Sequence, residues 1–281
     1  MKIVQKVKTR LKYSLGVFFI FLQPKYANNL FEKSISFNMR LPLKDRLMRE
    51  VLLKKYKNRK DFETLSKIHK NYWTNRGNEY FSSQYNNKTL EGFFIPECSF
   101  ILDILEKKIE SVNEKYTTLV EIGTGDGSVL KYLSNRFPAI NKFIGIDLSE
   151  SQIYHNKEKF KNNKNLEFIS NDGVEWIKEN GQSNSIILTS RGVLEYFTQD
   201  RLEELFKELS TIGKIIFIAI EPTATNHDFS INPNSQIYGY ENSFSHNYAQ
   251  LFEDCGFTIW HQSKKLFSPE IYFNFFGAET N

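Results

Sequence analysis

An α/β fold is predicted for this 281-residue chain, with a mostly parallel sheet covered by helices on both faces and a helical extension in front. Three observations predict it. From Cys98 onward, short apolar β-rich runs alternate with runs of helical period. Some of these strand-like runs are continuously apolar, the pattern of a sheet buried on both faces. The first run leads directly into a glycine-dense turn, LVEIGTGDGSVL (119–130). Finally, the charge breaks in two. Residues 1–60 hold 16 Lys/Arg and 3 Asp/Glu, a formal +13, and residues 61–281 hold the other 21 and 30, a formal −9, which together give the chain's +4. A basic head on an acidic body implies two jobs, or a partner for the head.

The body reads in order. ECSFILDILEKKIES (97–111) has helical spacing, and TTLVEI (117–122) is the first strand. Ser128 to Phe137 is helical, and KFIGID (142–147) is a strand. SESQIYHNKEKF (149–160) is a helix opened by Ser149, with Gln152 at capping-box spacing. NLEFIS (165–170) and GVEWIKEN (173–180) form the next strand and helix, followed by the strand NSIILTS (184–190). QDRLEELFKEL (199–209) puts Leu202, Leu205 and Leu209 on one helical face, and GKIIFIAIE (213–221) is a continuously apolar strand. The helix NYAQLFEDCGF (247–257) and the strands FTIWHQS (257–263) and EIYFNFF (270–276) complete the body.

In the head, Ile3, Val7, Leu11, Leu15, Phe18 and Leu22 recur at spacings of three and four, with Lys2, Lys6, Arg10 and Lys12 elsewhere around the helix and Pro24 ending it. The apolar run Leu15–Leu22 is far shorter than the roughly 20 residues of a spanning helix, and no small-residue cleavage site follows it. Two readings stand for residues 1–22: peripheral attachment to an anionic membrane surface, or a helix packed on the body with its lysines in water. Pro42 suits the first turn of a further helix, and Asp61 suits the cap of another. NYWTNRGNEYFSSQYNN (71–87) reads as a lid over a ligand or as the seam between head and body, and Tyr80, Phe81 and Tyr85 are its covering aromatics. The expected division is an extension over 1–85 and a domain over 86–281.

Composition excludes several classes. An apolar content of 40 % with 15 % aromatics supplies a core and rules out disorder by composition. Cys98 and Cys255 form neither a disulfide framework nor a metal-ligand spacing, which suits a reducing, cytoplasmic setting. No carboxylate–histidine spacing points to a metal. Basic charge without a recognisable module argues against nucleic acid.

The glycine turn lies where a parallel sheet binds ligands, at the carboxyl end of a strand. A dinucleotide site wants G-x-G-x-x-G/A, and its last small residue is missing here because Ser128 stands there. The run reads instead E-x-G-x-G-x-G through Glu121, Gly123, Gly125 and Gly127. Asp147 ends the second strand in IGIDLS, where a carboxylate accepts both ribose hydroxyls, and Asp172 ends the third in SNDG, where one accepts from an adenine amino group. Both also precede helices, where each could serve simply as a cap, but the motif context favours the ligand reading.

In this combination and order, residues 117–276 resemble the class I S-adenosylmethionine-dependent methyltransferases. The resemblance implies a Rossmann-like seven-stranded sheet with an antiparallel last strand, and S-adenosyl-L-methionine as cofactor. It implies cofactor contacts from Glu121, Gly123, Thr124, Gly125 and Gly127, from Asp147 and Leu148, from Asp172 and Gly173, and from Ser190. SRGVLEY (190–196) would line the methyl site. The acceptor has no matching motif. With neither an N-P-P-Y-type signature nor a nucleic-acid module, the expected acceptor is a small molecule or a glycan, and the expected target atom is oxygen. A hydroxyl acceptor calls for a base at the rim where the fourth and fifth strands end. Glu221, His227 and His246 are the candidates, with Glu195 and Tyr196 beside them. The alternatives are a non-catalytic module that binds the cofactor and, less favoured because of Ser128, a nicotinamide oxidoreductase.

Overall fold

Each strand of the body carries apolar side chains towards one or both of two helical layers. The strands of the main sheet are β1 (Thr118–Ile122), β2 (Lys142–Asp147), β3 (Leu166–Ser170), β4 (Ser185–Ser190), β5 (Ile215–Ala224), β6 (Thr258–Ser268) and β7 (Ile271–Glu279). In the computed structural model, which describes residues 2–32, 41–82, 90–112 and 115–281, they form one sheet in the order β3-β2-β1-β4-β5-β7-β6. Neighbours from β3 to β5 are parallel, and β7 is antiparallel to both β5 and β6. This is the expected Rossmann-like sheet with its antiparallel last strand. The strand order reverses between β1 and β4, which places the glycine turn at the switch point.

The strand period of two sorts the core into two layers. Leu119, Ile186, Leu188, Ile216 and Ile218 face one layer, shared with α5 (Phe100–Ser111) and α6 (Ser128–Arg136). Val120, Ile187, Ile215 and Phe217 face the other, shared with α8 (Gly173–Asn180), α9 (Gln199–Ile212) and α10 (Tyr248–Asp254). In this second layer Phe206 and Phe252 stack at 4.4 Å. Between β2 and β3 runs α7 (Glu150–Lys159), whose N-cap Ser149 accepts from the Gln152 amide at 3.4 Å, as its spacing predicted.

Before the body come α1 (Lys2–Leu22), α2 (Pro24–Glu32), α3 (Leu43–Arg59) and α4 (Phe62–Phe81). Pro24 separates the first two helices, and Asp61 caps the fourth by accepting from the Thr64 amide at 3.1 Å. The aromatic and amide-rich stretch is helical in α4 as far as Phe81, although no clean apolar stripe announced it. Residues 83–89, with Tyr85 and the expected boundary at 85/86, lie outside the described residues. The helix predicted over 97–111 begins later, at Phe100. Leu90–Cys98 before it is a π-helical segment containing Pro96, which has no N–H to give a regular helix.

Two compact units divide the chain, Met1–Arg76 with Ile237–Ser243 and Gly77–Gln236 with Phe244–Asn281. In the first, α1 packs on α3 through Gly16, where a Cβ would lie 2.4 Å from the Leu47 carbonyl oxygen. Buried Arg49 donates to Glu50 at 3.1 Å and stacks over Tyr240. The predicted stripe Val7, Leu11, Leu15, Phe18 and Leu22 is not packed away but exposed, and Phe21 beside it is 80 % exposed. Among the described residues no helix is long and apolar enough to cross a membrane.

Candidate functional site

The turn after β1 bends because three of its residues have left-handed backbones: Gly123 at φ +73°, Gly125 at +52° and Gly127 at +72°. Side chains rarely tolerate this region. The bend lets the Gly123 and Thr124 amides both donate to the Ile146 carbonyl at the end of β2, at 2.8 and 2.9 Å. The space a Cβ would fill is used by protein groups. At Gly123 it would meet the Val193 side chain at 2.5 Å, and at Gly125 the Phe81 ring at 2.6 Å. The end of α4 therefore covers the glycine turn with Phe81, one of the aromatics expected from sequence to cover a ligand. Asn156 on α7, which no sequence motif singled out, is fully buried and donates to the Gly125 carbonyl at 2.7 Å.

Asp147 stands half-buried beside this turn. One carboxylate oxygen accepts from the Gly125 amide and the other from the Ser149 amide, both at 3.0 Å, and the Leu148 amide also points at it. Burial raises its pKa above the usual carboxylate value, against the pull of those amides. Glu121 is fully buried and joins β1 to β4: Thr124 and Ser190 each place a hydroxyl 2.7 Å from one of its oxygens. Burial pushes it up to about 8, with the two hydroxyls opposing. Asp172 caps α8, accepting from the Val174 amide at 3.0 Å, and it pairs with Arg201 at 3.0 Å. Gly173 lies against Ile122, where a Cβ would be 2.5 Å from a methyl group.

The three rim bases predicted from sequence meet a different geometry. Glu221 is fully buried, and its carboxylate accepts from the Val193 and Leu194 amides at 3.0 Å each. It clamps the turn after β4 rather than facing open space. His227 is buried between the Ser245 hydroxyl and the Asn232 carbonyl, 2.9 Å from each. The carbonyl can only accept, so Nε2 carries the proton, and Nδ1 accepts from Ser245, whose oxygen takes the Ala224 amide. His246 is fully buried, with Nδ1 2.6 Å from the Ser235 hydroxyl, and burial lowers its pKa to about 3. Glu221 and His227 have their basic atoms bonded within the fold, and the unpartnered Nε2 of His246 is buried away from solvent. Glu195 and Tyr196, in the short 3-10 turn Leu194–Tyr196, remain half-buried at the rim.

The donor set suits an adenosine-bearing ligand. A half-buried carboxylate at the end of β2, beside a turn of bare glycines, is matched to vicinal hydroxyls. The covering Phe81 is an apolar wall that a flat ring or a sulfonium can meet.

Residues 119–214 match the family described as the methyltransferase domain. The chain is 25 % identical over 206 residues to strychnine O-methyltransferase of Strychnos nux-vomica, a match covering 67 % of this chain and 53 % of that enzyme. It thus spans about half the length of that relative. The fold is similar to that of magnesium protoporphyrin IX methyltransferase from Synechocystis PCC 6803, solved with bound S-adenosylmethionine. The TM-score is 0.52 at 13 % identity, over 77 % of this chain and 97 % of that one. The same enzyme with bound S-adenosylhomocysteine matches at a TM-score of 0.52 and 13 % identity, over 77 % of this chain and all of that one.

Proposed function

With a methyltransferase domain of the class I S-adenosylmethionine-dependent type in residues 119–214, we propose that this chain methylates a small organic acceptor, at oxygen. The observation that carries the reading is Asp147, held at the end of β2 beside the left-handed turn of Gly123 and Gly125. S-adenosylmethionine supplies an electrophilic methyl group when bound. The chain's own residues hold it and exclude water. Asp147 takes the ribose hydroxyls, with Leu148 beside it. Asp172 and Gly173 border the adenine. Gly123, Thr124, Gly125 and Gly127 shape the turn. Glu121 ties that turn to Ser190 at the methyl site. In-line transfer from a sulfonium depends chiefly on alignment. Glu195, half-buried in the short turn Leu194–Tyr196 at the rim, is the carboxylate proposed to take the proton of a hydroxyl acceptor, since Glu221, His227 and His246 are buried more deeply.

Of the two acceptor classes expected from sequence, the similarity to strychnine O-methyltransferase supports a small molecule over a glycan. Calorimetry on the full chain with S-adenosylhomocysteine, NAD and NADP tests the cofactor, and transfer of labelled methyl to a panel of phenols and alcohols tests the acceptor. Binding of S-adenosylhomocysteine alone is the expected result. Tight NAD binding with no response to S-adenosylhomocysteine overturns the reading.

The exposed stripe of α1 supports a further part of this proposal, peripheral contact with an anionic membrane at the cytoplasmic face. Val7, Leu11, Phe18, Phe21 and Leu22 are each more than half exposed on a head with a formal +13 over residues 1–60. Near an anionic surface each Lys or Arg contributes about 1 kcal/mol, and salt screens this. The full chain should co-sediment with phosphatidylserine vesicles and be released by about 0.5 M salt. Substituting Phe18 and Phe21 with serine should leave it in the supernatant with cofactor binding intact. Equal sedimentation of the serine variant and the parent would remove the membrane from this account.

A further inference from the structure

Arg191 directly follows β4 at the mouth of the site and has an unusual set of properties. Its backbone is left-handed, φ +68°, a conformation that a long side chain adopts at a cost and that glycine adopts freely. Gly192 next to it is also left-handed, and Val193 covers Gly123, so the turn belongs to the same wall as the glycine loop. The guanidinium is half-buried and lies 4.8 Å from the centre of the Phe93 ring. Among the described residues it forms no ion pair, and Glu97, close by in the chain to Phe93, is bound to Lys265. Phe93 in turn packs edge-on against Phe267 at 5.4 Å and tilted against Phe273 at 5.4 Å, and Phe267 is 57 % exposed. A planar cation with its fork unpaired thus sits on an open aromatic platform.

The position in the sheet separates this platform from the proposed cofactor groups. Asp147, Asp172 and the glycine turn follow β2, β3 and β1, on one side of the switch point. Phe267 and Phe273 belong to β6 and β7, on the other side. Resting on the methyltransferase reading above, we propose that Arg191 determines acceptor specificity by binding a carboxylate of a flat, aromatic acceptor whose ring lies against Phe93 and Phe267. A guanidinium fork matches a carboxylate with two parallel hydrogen bonds. Stacking on Phe93 fixes its plane beforehand, so little freedom is lost on binding.

The test uses the full chain saturated with S-adenosylhomocysteine and four probes: 4-hydroxybenzoate, 4-hydroxycinnamate and the primary amides of both. Calorimetry should show each acid binding at least about tenfold more tightly than its amide, the scale of one charge-assisted bond. Arg191→Met should abolish that preference, and Arg191→Lys, which keeps the charge but loses the fork, should retain part of it. Neither substitution should change the affinity for S-adenosylhomocysteine, which also reports that both variants are folded. Three results overturn the proposal: the parent protein binding neither acid better than its amide, a preference that survives in Arg191→Met, or S-adenosylhomocysteine affinity falling in both variants, which would make Arg191 a cofactor group. A parent protein that fails to bind S-adenosylhomocysteine at all would instead bring down the methyltransferase reading itself.

Discussion

Asp147→Ala should weaken S-adenosylhomocysteine binding by roughly ten- to a hundredfold, because a hydrogen bond to a charged group contributes about 1.5–3 kcal/mol. The structure gives the carboxylate a second task that bears on this value. It accepts the Gly125 and Ser149 amides, so it also ties the glycine turn to the start of α7. Alanine removes the proposed ribose grip and this tie together. Ser149→Ala separates them. It removes only the hydroxyl that accepts from Gln152, costing about 1 kcal/mol of stability, and should leave the cofactor's dissociation constant unchanged. Equal affinity in Asp147→Ala and the parent would take the ribose off Asp147. Equal weakening in both variants would mean that order at the start of α7, not the carboxylate, governs binding.

What sequence could and could not reveal follows from the range of the forces involved. Strands β1 to β5 were legible because apolar, β-rich runs persist over five or more residues. The caps at Ser149 and Asp172 were legible because capping acts over three residues. The antiparallel β7 came only from the family resemblance, since pairing direction leaves no local trace. The clamp by Glu221 spans 28 residues to Val193, and the Glu121–Ser190 contact spans 69. Nothing near Glu221 in the sequence distinguishes a buried clamp from a rim base, and so it was expected to be a base. Phe81 over Gly125 and Arg191 over Phe93 escaped for the same reason. The glycines were read as room for a ligand, but two of them make room for Val193 and Phe81.

The buried carboxylates give the largest expected effect on stability. Glu221→Ala leaves the Val193 and Leu194 amides without their acceptor, and at about 1–3 kcal/mol for each buried donor the loss should be about 2–6 kcal/mol. Glu221→Gln keeps a carbonyl oxygen for those amides and removes the titration, so the pH dependence of stability distinguishes the two effects. Burial raises Glu221 to about 8, with Glu195 nearby adding to the rise and the amides opposing it, and Glu121 is also raised to about 8. A raised acid holds its proton in the folded state, so its favourable contribution is complete below the unfolded value of about 4.3 and is lost as pH rises towards 8. The histidines act in the opposite sense. Burial lowers His246 to about 3 and His69 to about 4, so their contribution is fully present above about 6.5 and is lost as pH falls. The two trends offset each other between about pH 4.3 and 6.5, and above that only the carboxylates still titrate. Thermal unfolding should therefore show a midpoint that declines from pH 6.5 to 8. The decline should be shallower in Glu221→Gln and smaller again when Glu121→Gln is added. A flat or rising midpoint over that window in the parent would show that Glu121 and Glu221 are ionised in the folded protein, and the clamp would then be a charged one.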